Sequence, residues 1–323
     1  TINVDEYDQN RHFFLSHFFR DNYDSFASRL PYVSSGVKIT RIEVWVTNKS
    51  GRYEQARNLV AFEDLAENRV LANNYWQPNP SLPNPANASN NLLSVIKNEY
   101  PGARNINNVT QALEPLSAYG IEGGRDYEKV ESARLLSSSE YTLNSTLGYI
   151  SVRSALNADE VLAVAFEYTY GGQVYQVGEF SGDITSTDQS LYVKMLKSTT
   201  ASPKQPMWKL MMKNVYNLGG YQIQKNKFRL NIKYLSDTTG TQINYLPVPG
   251  LNNQSLLQVM NLDRIDSNEE SNPDGFFDFI EGYTIIAATG KVIFPVVEPF
   301  GSHLAKKIGN PAIAERYVYQ ELY

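Results

Sequence analysis

Apolar residues at positions 14, 15, 18, 19, 23, 26 and 30 of the opening stretch DQNRHFFLSHFFRDNYDSFASRL recur at spacings of three and four. That stripe predicts an amphipathic helix closed by Pro31. The next run, VKITRIEVWVTN, is β-branched and alternating, and predicts a strand with a turn at 48–51. ARNLVAFEDLAEN predicts a short helix, while the loop 77–90 carries four prolines and can be neither helix nor central strand. NNLLSVIKNEYPG and INNVTQALEPLSAYG predict two short helices, each closed by Pro or Gly.

The pattern changes near residue 120. SEYTLNSTLGYISV alternates around a turn, and VLAVAFEYTYGGQVYQV predicts a hairpin turning at Gly171-Gly172. PMWKLMMKNVYNLGG predicts a helix capped by Gly219, and KFRLNIKYLSDTTGTQINYLPV a second hairpin. YTIIAATGKVIFPVV predicts two strands around Thr289-Gly290, and the tail NPAIAERYVYQELY predicts a helix. Helices followed by mostly antiparallel strands indicate an α+β fold, with helix concentrated in the N-terminal part. The division this suggests is a helix-rich subdomain over 1–125, holding the Pro-rich loop, and a β-rich one over 126–323, unless the whole is one unit. No repeat of fixed period is visible.

Composition narrows the function classes. The 323 residues are 42% hydrophobic, with 22 Tyr, which suits a packed core rather than a disordered chain. The net charge is −5, and no run of Lys and Arg suggests a nucleic-acid partner. With no Cys there are no disulfides, thiol nucleophiles or Cys-based zinc sites. No apolar stretch approaches the ~20 residues of a membrane-spanning helix. The chain opens on Thr1 rather than Met, as a piece of a longer protein would.

Enzymatic signatures are sparse. Gly290-Lys291 lacks the rest of a P-loop, and no Gly-x-Ser-x-Gly elbow occurs. His12 and His17 would point ~140° apart on a helix, so they are expected as surface or half-buried residues. His303 lacks a nucleophile beside it, and Glu281 with Glu298 makes only a weak carboxylate pair. The fold is therefore expected to carry no catalytic residue. Tyr75 and Trp76, beside the rigid loop, are suited either to stacking on a sugar or protein partner or to pinning that loop to the core.

ESNPDGFFDFIEG, residues 270–282, is the most specific chemical signal. Against a twelve-residue calcium loop it offers Glu270, Asn272, Asp274, the Phe276 carbonyl, Asp278 and Glu281, with Gly275 at the bend. Asp263, Asp266 and Asn268 stand just upstream in an acidic loop spanning 263–282. Three features depart from the pattern: Glu270 is long for a first ligand, Pro273 stiffens the loop, and Gly282 prevents an exiting helix. The alternatives are a structural calcium outside any EF-hand, or an Asx turn whose acids stay solvated.

Several long strings taken together resemble one family. NVDEYDQNRHFFLSHFFRDNYD, ITRIEVWVTNKSGRYEQARNLVAFEDL, YWQPNPSLPNPANASNNLL, LNADEVLAVAFEYTYGGQVYQVGEF, NLDRIDSNEESNPDGFFDFIEGYT and VIFPVVEPFGSHL are similar to the SprA/Sov family. These are giant outer-membrane translocons of the type IX secretion system, linked to gliding motility in Bacteroidota. The resemblance implies a β-barrel pore for folded secreted cargo, with a lateral-gate lipid-binding barrel protein, a plug and a motor complex as partners. It implies no catalytic residue. This chain lacks the repeated ~10-residue lipid-facing strands of barrel wall. It is therefore expected to be a soluble insert, in the extracellular cap or alternatively on the periplasmic side.

Overall fold

The computed structural model describes every residue from Thr1 to Tyr323, and they fall into two compact units. One, the barrel unit, comprises Asn10–Asp21 and Ser35–Met211; the other, the loop-rich unit, comprises Thr1–Gln9, Asn22–Ser34 and Met212–Tyr323.

The barrel unit contains, in chain order, β1 (His12–Phe14), the first half of α1 (His17–Phe26), β2 (Lys38–Val46), β3 (Arg57–Phe62), α2 (Leu92–Glu99), α3 (Val109–Leu113) and β4 (Tyr127–Leu135). They are followed by β5 (Tyr141–Asn144), β6 (Tyr149–Val152), β7 (Leu162–Tyr170), β8 (Gln173–Val177) and β9 (Leu191–Lys197). The large sheet closes on itself: β2 pairs with β4, β4 with β3, β3 with β9, β9 with β7, and β7 again with β2. β8 continues the edge of β7 beyond the stretch paired to β9. Every pairing is antiparallel except β3–β9. The ring closes through only two residue pairs, Trp45 with Leu135 and Val46 with Arg134, while β8 pairs with β7 alone and keeps one edge open. A smaller antiparallel sheet runs β1–β6–β5.

Large side chains fill this unit. Phe19 meets Phe166 and Tyr168 with ring centroids 6.1 and 5.8 Å apart, and Phe62 meets Tyr192 edge-on at 5.9 Å. All seven residues of β9 are buried, as expected of a strand covered on both faces.

The same covering explains where sequence pattern misled. ARNLVAFEDLAEN, expected as a helix, is β3 followed by turns, because Leu59–Phe62 run beside Leu191–Lys194 in the sheet. A strand buried on both faces shows no alternation, so its apolar run resembles a buried helix. The opening helix begins only at His17, since Phe13 and Phe14 are held in β1 opposite Ile150 and Tyr149. A boundary at 125 would cut this unit internally: Tyr127 at the head of β4 pairs with Phe62 at the end of β3.

The loop-rich unit carries β10 (Val215–Asn217), β11 (Tyr234–Leu235), β12 (Gln242–Ile243), α4 (Leu256–Val259), β13 (Ile285–Ile286), β14 (Lys291–Ile293), α5 (Leu304–Ile308) and α6 (Pro311–Ala314). Strands β10, β14 and β13 form one antiparallel sheet, and β11–β12 a two-residue ladder. Where a helix over 206–220 was expected, a 3₁₀ turn (Pro206–Leu210) precedes β10, whose Val215 and Tyr216 are buried opposite Ile293 and Val292. The C-terminal helix shrinks to α6 and a 3₁₀ turn at Gln320–Leu322. The class is α+β and mostly antiparallel, as the pattern indicated, but helices lie toward both ends of the chain rather than in its N-terminal part alone. None is long and apolar enough to cross a membrane.

Two glycines permit close approaches. A Cβ on Gly148 (φ +75°) would meet the Phe19 ring at 2.3 Å, and one on Gly290 (φ +62°) the Gly220 carbonyl oxygen at 2.1 Å. Gly172 in the β7–β8 turn has positive φ and open space around it. Denaturant titration should therefore show Gly148→Ala and Gly290→Ala each losing more than about 2 kcal/mol, against about 1 for Gly172→Ala. Equal losses at all three would mean that backbone conformation, not crowding, sets the cost.

Candidate functional site

Charged side chains are concentrated where β3 ends. The turns after Phe62 carry Glu63, Asp64 and Glu67 into the interior, at 1, 4 and 0% exposure, and β9 brings Lys194 to them at 0%. Lys194 Nζ lies 3.0 Å from Glu67 Oε1 and also donates to the Glu63 carbonyl. The His17 N–H, at the head of α1, donates to the same Glu67 oxygen at 3.2 Å. Glu63 Oε1 accepts from the Met207 N–H at 2.9 Å, and Asp64 accepts from the N–H groups of Ala72 and Asn73 at 3.1 Å each. The Asn90 amide donates to the Asp64 and Glu67 carbonyls at 2.7 and 3.0 Å. One cluster thus anchors α1, β9, the 3₁₀ turn at Met207 and both ends of the Pro-rich region.

Burial governs its protonation. Desolvation lifts Glu63 from 4.5 to about 7, with neighbouring Asp64 adding to the rise. It lifts Asp64 from 3.8 to about 6 against the pull of the Ala72 and Asn73 amides. His17, whose ring nitrogens have no hydrogen-bond partner, is pushed by burial from 6.5 to about 3 and is neutral. For Glu67 desolvation acts upward and is the largest single influence, but the Lys194 ammonium, its hydrogen bond and the His17 contacts together hold the carboxyl below its usual range. The cavity bounded by Met207, Trp208, Phe13 and Met211 measures about 30 Å³, room for one or two waters. This arrangement orders the core of the unit.

Glu179 is the second buried acid. Arg104 binds it with both guanidinium nitrogens at 2.7 and 2.8 Å while lying 3.9 Å from the centre of the Tyr192 ring. Lys97 approaches from α2 at 3.2 Å, and the Tyr192 N–H donates at 2.8 Å.

An open groove of about 460 Å³ lies beside the Pro-rich loop, lined by Gln77, Asn79, Asn87, Asn91, Ser94 and Lys97 among others. Several of its amides already serve the fold. Asn87 exchanges two bonds with Gly178, Asn79 donates to the Ala88 carbonyl, and Asn91 accepts from the Gln77 N–H. Trp76 is 4% exposed, so it pins the loop instead of meeting a partner. Tyr75 sits between it and Tyr119, with centroids 5.0 and 4.2 Å away, and Tyr119 presents the accessible ring at 53% exposure.

In the acidic loop, the carboxylates face main-chain N–H groups. Asp263 accepts from Asp274 and Gly275 at 3.0 and 3.1 Å, and Asp278 from Arg264 at 2.7 Å. Asp266 accepts from Asn268 and Glu270, and Asp274 from Phe276. Glu281 turns both oxygens to the Ala287 N–H at 3.1 and 3.0 Å. Of the six expected calcium ligands, Asp274 and Asp278 are drawn toward Asp263, while Glu270 and Asn272 lie on the exposed side of the turn. No three acidic or histidine side chains converge as a metal would require. Burial, with repulsion from Asp263 and Asp274, lifts Asp278 from 3.8 to about 6.

The remaining candidates have structural partners. His12 and His17 are buried, not surface residues, and His12 Nδ1 lies 2.6 Å from Ser151 Oγ. His303 Nε2 lies 2.6 Å from the Val259 carbonyl oxygen, Glu298 accepts from the Ser302 N–H, and Lys291 binds Asp8 at 2.7 Å. Sequence reasoning missed the Glu63–Asp64–Glu67–Lys194 cluster. Its visible signals were three acids directly after the apolar run LVAF and a lysine inside YVKML. A scan of protein-family models and a search of curated proteins find no match to this chain.

Two outcomes are expected. Folded Glu63 holds its proton between pH 4.5 and about 7 where the unfolded chain releases it, so this residue lowers stability as pH rises through that window. The stability of Glu63→Gln relative to wild type should therefore rise by more than about 1 kcal/mol from pH 4.5 to pH 8. An unchanged difference would mean that Glu63 is solvated. Calcium at millimolar concentration should leave the melting temperature unchanged, because Asp263, Asp266, Asp274, Asp278 and Glu281 already accept from main-chain N–H groups. A rise that disappears in Asp274→Ala would place a cation there.

Proposed function

We propose that this chain is a non-enzymatic domain of an outer-membrane protein-translocation pore of the type IX secretion kind, set on the extracellular side and contributing to protein export and gliding motility. The observation that carries the reading is where the family-like strings fall in the fold. They run through both units and contain the residues that build them. EDL and SHFF supply Glu63, Asp64 and His17 of the buried cluster, ANASNN supplies Asn90, and DRIDSNEESNPDGFFD supplies the whole Asp263–Asp278 turn. Such agreement extends over scaffold rather than over one surface motif. The acids carry main-chain and cationic partners, which suits a rigid spacer around a pore better than a reaction site.

A second reading, a surface module that binds carbohydrate or protein, is favoured by the amide-lined groove and the accessible ring of Tyr119. Its contact would be Tyr119 with Gln77 and Asn91, not Trp76.

Protease treatment of intact cells that carry the full protein separates the sides of the membrane. The exposed tip between β11 and β12, at residues 237–240, is the place to insert a cleavage site. Cleavage in intact cells is expected. Cleavage only after permeabilisation would overturn the extracellular placement.

A further inference from the structure

Strand β11 is preceded by a stretch that has the form of a strand and lacks a ladder. Phe228 is extended (φ −82°, ψ 132°), and from there to Tyr234 burial alternates at every residue. Phe228, Leu230, Ile232 and Tyr234 are half-buried, while Arg229, Asn231 and Lys233 are exposed. A period of two is the signature of β backbone with one covered face. The inner face is fixed: Phe228 packs edge-on against Phe277 and Phe279 with centroids 5.4 and 5.9 Å apart, and Tyr234 against Tyr317 at 5.4 Å. Yet no main-chain N–H or C=O of residues 229–233 has a hydrogen-bond partner in the chain; pairing starts only at Tyr234 opposite Ile243. Side-chain packing therefore holds a strand in place while its edges remain open.

The charge around that stretch is distinctive. Lys225, Lys227, Arg229 and Lys233 are exposed, and no acidic residue occurs between Met211 and Ser236, in a chain whose net charge is −5. None of the four forms a salt bridge; Arg229 instead lies 4.9 Å from the centre of the Phe276 ring. On the outer face, Arg229 and Lys233 would stand beside alternate residues of any strand laid against the edge.

We propose that residues 228–234 form a docking edge for an extended peptide segment that alternates acidic and apolar residues. The ladder would satisfy the free N–H and C=O groups of the alternate residues that point to the docked edge. The acids of the incoming strand would face Arg229 and Lys233, and its apolar residues would extend the row made by Leu230 and Ile232. The inference does not depend on the pore reading.

The test uses the 323-residue chain and two fluorescein-labelled peptides of identical composition. In one, Glu and Val alternate; in the other, the glutamates and valines are grouped in blocks. Hydrogen exchange should show the alternating peptide slowing every second amide within 229–233 at least tenfold, and the block peptide leaving them unchanged. Arg229→Glu combined with Lys233→Glu, both at exposed positions, should weaken the alternating peptide at least tenfold in anisotropy titrations. Equal binding of the two peptides without amide protection would reduce the site to bulk charge attraction and overturn the proposal. Absence of binding by the alternating peptide would overturn it as well.

Discussion

The ion pair between Lys194 and Glu67, closed off from water inside the barrel unit, is the constraint on which that unit's other arrangements depend. A buried ammonium and carboxylate are costly to desolvate, and the pair persists only where further hydrogen bonds complete both groups. Here the Glu63 carbonyl and the His17 N–H provide them. Those partners bring along the elements that carry them: β3 and its turns, the start of α1 and, through Asn90, the far end of the Pro-rich loop. The remaining acids are charged at a cost. Glu63 and Asp64 crowd the same space, and desolvation keeps each closer to its protonated form than an exposed carboxyl would be. The cluster orders main chain over a long span of sequence without opening toward solvent.

The same logic recurs around it. Arg104 and Lys97 converge on Glu179 and join the helical segment at 92–104 to the barrel strands. The Arg57 guanidinium takes the carbonyls of Ser181 and Ile184, and the Lys197 ammonium those of Asn157 and Glu160. In the loop-rich unit the roles reverse, and Asp263, Asp278 and Glu281 gather main-chain N–H groups where regular structure is scarce. Side-chain charge thus substitutes for secondary structure in holding long loops. The proposed place beside a pore would make use of that rigidity.

How much of this could be read from the sequence depends on the range of the interaction. The β7–β8 hairpin was legible because alternation and Gly-Gly act within a few residues, and both glycines adopt positive φ. Strand β3 was not, because its two covered faces erase the alternation that distinguishes a half-buried strand from a helix. Helix was foreseen toward the N-terminus and in the tail that holds Pro311–Ala314, while Leu304–Ile308, capped by Gly309 after an irregular stretch, was not. The acidic loop was recognised as a specific signal, and its Asx-turn alternative matches the bonds of Asp266 and Asp274 to residues two positions on. Asp263 and Asp278 are instead buried and reach N–H groups far along the chain. The buried cluster was illegible for a plain reason. His17 is 50 residues from Glu67 and Lys194 is 131 from Glu63, so only the closed sheet brings them together.

A double-mutant cycle on the buried pair tests this account most directly, with unfolding free energies measured for wild type, Lys194→Met, Glu67→Leu and the combined variant. Each single change leaves an unpaired buried charge and should cost about 3–5 kcal/mol, while the combined variant should cost clearly less than the sum. Single changes costing under about 1 kcal/mol, or losses that simply add, would contradict the central place given to this pair.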